Sequence, residues 1–325
     1  MKLEHPACEL CGSAEHRLVM SVRDKRHGFP GEFGLVECKQ CSLRFLSPRP
    51  TRESIVAAYP TDYTAHRREE SVARWRAPFA WAWDRYQRLF LGNSYPVFYY
   101  RAHRDNFGTP GQKPRILDVG CGSGSKLLYL KRAGWETFGL DFSQEAIDLA
   151  LKNGVDHGVA GDGSSLPHGD RFFDAVMSWH SLEHHFHPKE SLREMRRVLA
   201  PGGYGIVAVP TGDNLGLRLF KENWGPLEPP RHLYHFTKET LGRMVEEAGL
   251  EIVRFHWDYT YYGLFLDEEI LESLENLAAD RGVRFRFPRP PGYSLVARIP
   301  VLPFSELLGR LCRGMNLIVH FKRPE

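Results

Sequence analysis

The chain has 325 residues, a length that suits about two domains or one enlarged domain. With 42% hydrophobic and 26% charged residues, a mean hydropathy of −0.39 and no run near the roughly 18 apolar residues of a membrane span, it excludes disorder, collagen-like repeats and a transmembrane bundle. Its net charge of +3, from 43 basic and 40 acidic residues, is too balanced to announce a nucleic-acid binder.

Residues 1–47 are turn-rich and carry four of the six cysteines as two pairs. The opening Met1-Lys2-Leu3-Glu4-His5-Pro6 has no apolar core of a secretory signal. The expectation is a cytoplasmic protein, in a reducing compartment where paired cysteines hold metal more often than they form disulfides. Ser47-Pro48-Arg49-Pro50 breaks the chain, and aromatics crowd in from Ser71 to Phe107. Phe79, Trp83, Tyr86 and Phe90 are spaced to share one helix face, so a helical cap is expected over 48–110. Its aromatic stripe reads as core ahead of a pocket for a flat or greasy substrate.

After Gly108-Thr109-Pro110-Gly111 the pattern changes. Strands are expected at 115–119, 136–141, 155–160, 173–178, 205–209, 251–255 and 316–321. Helices are expected at 126–133, 144–152, 189–199 and from Thr237 to near Gly249. Strands separated by helices predict an α/β fold with a parallel, doubly wound sheet. The core is expected over 111–260, an insertion over 261–315 and the last core strand with the C-terminus over 316–325. The insertion carries one amphipathic helix, 264–279, and a segment in which Arg281, Arg284, Arg286 and Arg289 alternate with Phe285 and Phe287. That segment reads as a solvated face ahead of a contact for phosphate or anionic lipid. Residues 302–315 are amphipathic but short, which leaves peripheral membrane contact open.

Asp118-Val119-Gly120-Cys121-Gly122-Ser123-Gly124 joins the first core strand to a helix, and its glycines let the backbone turn tightly beneath a ligand. Asp141 ends the next strand, 17 residues beyond Gly124, where a carboxylate accepts both ribose hydroxyls. Ser125 stands where a dinucleotide fingerprint requires its third glycine, so phosphate binding is not the natural reading. The run Ile116 to Gly124 resembles the first motif of class I S-adenosylmethionine-dependent methyltransferases. The likeness continues in order through Gly139-Leu140-Asp141, Gly161-Asp162, Phe173-Asp174-Ala175-Val176 and Arg197-Val198-Leu199-Ala200-Pro201-Gly202-Gly203. It implies a Rossmann-like seven-stranded sheet whose last strand is antiparallel, with S-adenosylmethionine as cofactor. Asp118, Gly120, Cys121 and Gly122 then surround its methionine part and Asp141 its ribose. Phe142 flanks the adenine, and Asp162 and Gly163 face its amino group. The alternative is that these residues only shape strand ends.

Cys8-x2-Cys11 and Cys38-x2-Cys41 have the spacing of two zinc knuckles, joined by 26 residues. Four thiolates leave no position for water, so the Zn2+ expected at Cys8, Cys11, Cys38 and Cys41 is structural. Chance cysteines in a reduced protein are the alternative. This small zinc lobe, with Pro48-Arg49-Pro50-Thr51 and Tyr59-Pro60-Thr61-Asp62-Tyr63 after it, resembles sugar methyltransferases with an N-terminal zinc module.

Two histidine segments follow carboxyl ends of strands, where open α/β sheets bind ligands. In Trp179-His180-Ser181-Leu182-Glu183-His184, Trp179 and His180 are expected beside the cofactor, and Glu183-His184 resembles a pair common in the family. His184 could take a proton from an attacking hydroxyl, or the pair could simply organise the loop. His180, Glu183 and His184 also resemble metal-associated residues of quinone-precursor O-methyltransferases. His180 stands where an acid is expected there, which argues against a catalytic metal. Pro229-Pro230-Arg231-His232-Leu233 resembles a loop of one bacterial branch, making His232 the first choice for the base and Arg231 for substrate anchoring. The competing reading is a packed structural loop.

The expected function is methyl transfer to a small molecule, with a hydroxyl of a sugar, natural product or lipid-like precursor as acceptor. An RNA methyltransferase gripping nucleic acid with its zinc lobe is the alternative. Against it stand the +3 charge and Trp179-His180-Ser181 where an Asn/Asp-Pro-Pro-Tyr motif would be. A non-catalytic cofactor-binding scaffold ranks last. The residues name neither the acceptor nor an oligomeric state.

Overall fold

A computed structural model describes residues 1–59, 99–100, 103–108, 111–258, 268–283, 285–287 and 314–325. The strands of the N-terminal segment are β1 (Leu3–Glu4), β2 (His16–Val22), β3 (Phe33–Cys38), β4 (Arg44–Leu46) and β5 (Arg49–Pro50). Then come β6 (Arg115–Val119), β7 (Glu136–Asp141), β8 (His157–Ala160), β9 (Phe173–Trp179) and β10 (Leu199–Pro210). The last are β11 (Tyr234–His235), β12 (Glu251–Asp258) and β13 (Asn316–Lys322). The helices are α1 (Arg52–Ile55), α2 (Ser125–Arg132), α3 (Gln144–Asn153) and α4 (Pro188–Val198), then α5 (Leu215–Phe220), α6 (Lys238–Glu247) and α7 (Glu268–Asp280). No described helix is long and apolar enough to cross a membrane.

The chain groups into two compact units. The first combines Met1–Pro60, Pro210–Leu241 and Trp257–Leu317, and the second combines Thr61–Val209, Gly242–His256 and Ile318–Glu325.

The second unit is built on a seven-stranded sheet in the order β12-β13-β10-β9-β6-β7-β8. β6 pairs in parallel with β7 and β9, β7 with β8, and β9 with β10. β13 runs the other way: Arg323 bonds to Gly202 and Gly203, while the Phe321 ring fills the space above Gly205. The expected doubly wound sheet with an antiparallel last strand is therefore present. The order reverses direction at β6, and the carboxyl ends of β6 and β9 flank that switch point, where such sheets take ligands.

Its interior follows from near-continuous apolar strands buried on both faces. Ile116, Leu127, Leu130, Trp135, Ile147, Ala175, Met177, Ile206 and Ile318 form one buried cluster. Tyr100 joins it and donates its hydroxyl to the Val176 carbonyl at 2.6 Å. The other aromatics between Trp75 and Phe98, Arg284, Arg289 and most of 302–315 lie outside the described residues. β10 begins at Leu199 rather than 205, its pairing with β9 shifting between Leu199 and Tyr204 where Pro201-Gly202-Gly203 interrupts the ladder.

The first unit has a four-stranded antiparallel sheet, β11-β4-β3-β2, and a small β1-β5 pair. The β2–β3 hairpin takes up most of the 26 residues between the cysteine pairs, which accounts for their wide spacing. Val22, Phe33, Leu35 and Leu46 from this sheet pack with Leu217, Trp224, Leu227 and Met315. β11 arises from the segment after β10, so the Pro-Pro-Arg-His loop belongs to the same unit as the cysteines.

Candidate functional site

In the second unit, the loop after β6 turns through Gly120, Gly122 and Gly124, all with positive φ (83°, 52° and 78°), conformations that side chains resist. It is tied to the end of β7: the Gly120 and Cys121 amides donate to the Leu140 carbonyl, and the Gly122 amide to Asp141 Oδ2 at 2.9 Å. Asp141 Oδ1 accepts the Ser143 amide at 3.0 Å, and the Gly161 amide donates to the Asp141 carbonyl at 2.8 Å. The glycine loop, Asp141 and the Gly161-Asp162-Gly163 turn therefore meet at one edge of the sheet. Asp162 Oδ1 accepts the Ser164 amide at 2.8 Å. Phe142, next to Asp141, is 55% exposed, an unusual position for a phenylalanine beside a buried acid and one that suits stacking on a flat ring.

Asp118 is buried, and its Oδ1 has no hydrogen-bond partner among the described residues. Burial pushes its pKa up to about 7, Lys126 opposing and Asp141 adding to the rise. A buried acceptor without a partner asks for a donor, and a cationic ligand would draw the carboxylate back to its ionised form. Burial also pushes the Cys121 thiol well up, so it is a packing group, and Gly139 leaves the room its sulfur needs.

Trp179, the last residue of β9, is buried, and His180 after it adopts φ +53°, with its amide bonded to the Ala208 carbonyl at 2.9 Å. His180 Nδ1 and His184 Nε2 lie 3.5 and 4.0 Å from Glu183 Oε1, so two imidazoles face one buried carboxylate at distances longer than a good hydrogen bond. The strained backbone at His180 is the kind of conformation that ligand sites retain.

In the first unit, the four cysteine sulfurs all lie within 4.8 Å of one another, with Cys8–Cys41 at 3.4 Å and Cys11–Cys38 at 3.5 Å. A ZnS4 tetrahedron with bonds of about 2.3 Å has edges of about 3.8 Å, inside this range. Burial raises the Cys8 and Cys38 thiols, but the Cys11 and Leu10 amides point at Cys8 and the Cys41 and Gln40 amides at Cys38. For Cys38 these donors prevail and bring it to about 7, a thiolate-favouring arrangement suited to a metal.

The loop carrying His232 is held from the hairpin turn. The Asp24 carboxylate accepts the amides of Arg26, His27 and Phe29 and takes Arg231 Nη1 and Nη2 at 2.9 Å each. Arg231 Nε donates to Glu228 Oε1 at 3.0 Å, and Nη1 also donates to the Ala58 carbonyl at 2.8 Å. Arg26 reaches Glu228 Oε2 at 3.0 Å and Glu272 at 2.7 Å. Arg231 is completely buried in this network, an arrangement that directs its guanidinium to the protein rather than to an acceptor. His232 Nδ1 sits 2.8 Å from the Pro226 carbonyl, which requires a proton on that nitrogen, and Nε2 lies 3.8 Å from Glu228 Oε2. Nε2 is therefore the basic atom, with a carboxylate facing it. Asp24 carries no signal in the sequence, because nothing marks an acid in a hairpin turn as the partner of an arginine 207 positions on.

The profile of a family described as a methyltransferase domain matches residues 81–254. Demethylmenaquinone methyltransferase of Renibacterium salmoninarum is 39% identical over 100 residues, 30% of this chain and 41% of that protein. Ubiquinone biosynthesis O-methyltransferase of a Caulobacter species is 32% identical over 153 residues, 42% of this chain and 61% of the relative. The chain thus spans about half the length of these relatives. A solved S-adenosylmethionine-dependent methyltransferase from Mesorhizobium loti is similar over 71% of this chain and all of its own, at 18% identity and a TM-score of 0.45.

Proposed function

We propose that this chain, which belongs to the methyltransferase domain family, transfers a methyl group from S-adenosylmethionine to a small molecule, with a hydroxyl of a sugar, natural product or lipid-like precursor as the acceptor class. The observation that carries the reading is the joint at the carboxyl edge of β6 and β7. There the unpartnered Asp118 oxygen, the bent glycine loop, Asp141 and the exposed Phe142 offer an acceptor for an ammonium, acceptors for a ribose and a face for a purine. The relatives are named for demethylmenaquinone and for ubiquinone biosynthesis, both small-molecule chemistries, which supports the acceptor class.

When bound, the cofactor supplies an electrophilic methyl group, so the protein's task is alignment and proton removal. In this reading Asp118, Gly120 and Gly122 hold the methionine part, with the Cys121 thiol packed against Gly139 rather than facing the ligand, and Asp141 holds the ribose. Phe142 covers the adenine, Asp162 and Gly163 meet its amino group, and Trp179 and His180 close the remaining side. His232 Nε2 receives the acceptor's proton, and Glu228 steadies the imidazolium that results. His184, backed by Glu183, is the second candidate. Arg231 braces the His232 loop through Asp24. Cys8, Cys11, Cys38 and Cys41 hold one structural Zn2+ that ties the ends of the hairpin together.

Incubation with methyl-labelled cofactor and fractionated cell extract tests the reading, and label is expected in a small-molecule fraction. With that acceptor, His232→Ala is expected to lower kcat by about 10²–10⁴ while leaving the affinity for S-adenosylhomocysteine unchanged. Full turnover by both His232→Ala and His184→Ala would remove the histidine base from the scheme.

A further inference from the structure

Ser181, His185 and Ser191 form a chain of hydrogen bonds outside the roles assigned above. Ser191 Oγ donates to the His187 carbonyl at 3.1 Å, so its one proton is committed. The 2.8 Å contact between Ser191 Oγ and His185 Nδ1 must then have Nδ1–H as its donor. His185 is partly buried, and desolvation pushes its pKa down to about 4, so the ring is neutral and Nε2 carries a lone pair. Ser181 Oγ, 3.0 Å from that nitrogen, is consequently the donor. The Ser181 proton is locked onto His185, and in every other direction Ser181 Oγ offers only lone pairs.

The chain sits against two glycines of the candidate cofactor site. A Cβ on Gly120 would fall 2.0 Å from Ser181 Oγ, and one on Gly163 would fall 2.5 Å from His185 Cε1. These positions are bare because the serine and the imidazole occupy their side-chain space. Two residues before Gly120, Asp118 Oδ1 is buried with no hydrogen-bond partner among the described residues. An acceptor-only hydroxyl beside Gly120 and an unspent carboxylate oxygen nearby in the chain form a donor-hungry set. An ammonium group, with three N–H donors and no acceptor, is the chemistry that set fits.

We propose that Ser181 is a binding residue for the ammonium of the cofactor's methionine part, and that His185 and Ser191 are positioning residues that fix its hydroxyl as an acceptor. The inference rests on the cofactor reading above and deepens it. Without the lock the hydroxyl could turn its own proton toward the cation and repel it. With the lock, the hydroxyl is oriented before the ligand arrives.

Calorimetric titration with two ligands separates this role from general packing. S-adenosylhomocysteine carries the ammonium, whereas 5′-methylthioadenosine keeps the adenosyl thioether and lacks the amino acid. Ser181→Ala is expected to weaken S-adenosylhomocysteine on the order of ten-fold and to leave 5′-methylthioadenosine unchanged. His185→Phe is expected to move the same ligand in the same direction, and the double variant to lose no more than Ser181→Ala alone. Unchanged S-adenosylhomocysteine affinity in Ser181→Ala, or an equal loss for both ligands, would overturn the proposal while leaving the cofactor reading in place. Failure of the wild-type protein to bind either ligand would overturn the cofactor reading itself, and this proposal with it.

Discussion

At the scale of single residues, two buried ionic arrangements set the chemistry. Asp118 is an acid whose native pKa is raised to about 7 by burial, against an ordinary value of about 3.9. The folded protein therefore holds a proton that the unfolded chain gives up. This stabilising contribution is complete below about pH 3.9, declines as pH rises and levels off above about pH 7. Asp118→Asn should accordingly raise the melting temperature of the ligand-free protein more at pH 8 than at pH 4. Binding an ammonium beside the carboxylate favours its ionised form, so S-adenosylhomocysteine should release protons on binding near pH 7. Calorimetry in buffers of different ionisation enthalpy reads that release, and Asp118→Asn should abolish it. The second arrangement is the fully buried Arg231–Asp24 pair, bidentate at 2.9 Å. Removing one partner leaves an uncompensated charge, so Arg231→Met should cost about 3–5 kcal/mol, read as a lower urea midpoint. A midpoint equal to wild type would contradict the clamp.

At the scale of elements, the two cysteine pairs and the hairpin between them gather four sulfurs within 4.8 Å of one another, an arrangement expected to close on one metal ion. The purified protein should contain one Zn2+ per chain by elemental analysis, and both Cys8→Ser and Cys38→Ser should lose it. Metal content near zero in wild type would reduce the four cysteines to a thiol cluster. The hairpin itself was hard to foresee. β2 alternates poorly, with exposed Arg17, Leu18 and Val19 in succession, and β11 is only two residues long. Such strands are set by pairing rather than by local pattern. The core elements were legible because buried parallel strands such as Arg115–Val119 and Phe173–Trp179 are short, mostly apolar runs, and α3 announces itself with Ser143 capping the Ala146 amide. The site's backbone was equally legible, since Gly120, Gly122 and Asp141 are demanded by the turn they make. What binds the loops together, Asp24 to Arg231 and His185 to two serines, depends on contacts distant in sequence or on hydrogen-atom placement. No spacing rule encodes either.

At the scale of the whole molecule, a seven-stranded sheet supplies one edge with Asp118, whose Oδ1 has no hydrogen-bond partner among the described residues, with the buried Asp141 and with the exposed Phe142 ring. The lobe that carries the four cysteines shares its unit with the loop that bears His232. The division of labour predicted from this is that cofactor affinity follows residues 118–163 and 179–181, and that proton removal follows His232 or His184. The two properties should therefore separate in variants: His232→Ala should change turnover alone, and Asp141→Ala should change binding first. The most direct measurement is the equilibrium binding of S-adenosylhomocysteine to wild type and to Asp141→Ala by calorimetry. One site per chain in wild type, weakened on the order of ten-fold or more when the Asp141 carboxylate is removed, is the predicted result. No binding by wild type, or equal affinity in the two proteins, would contradict a methyltransferase cofactor site at this edge of the sheet.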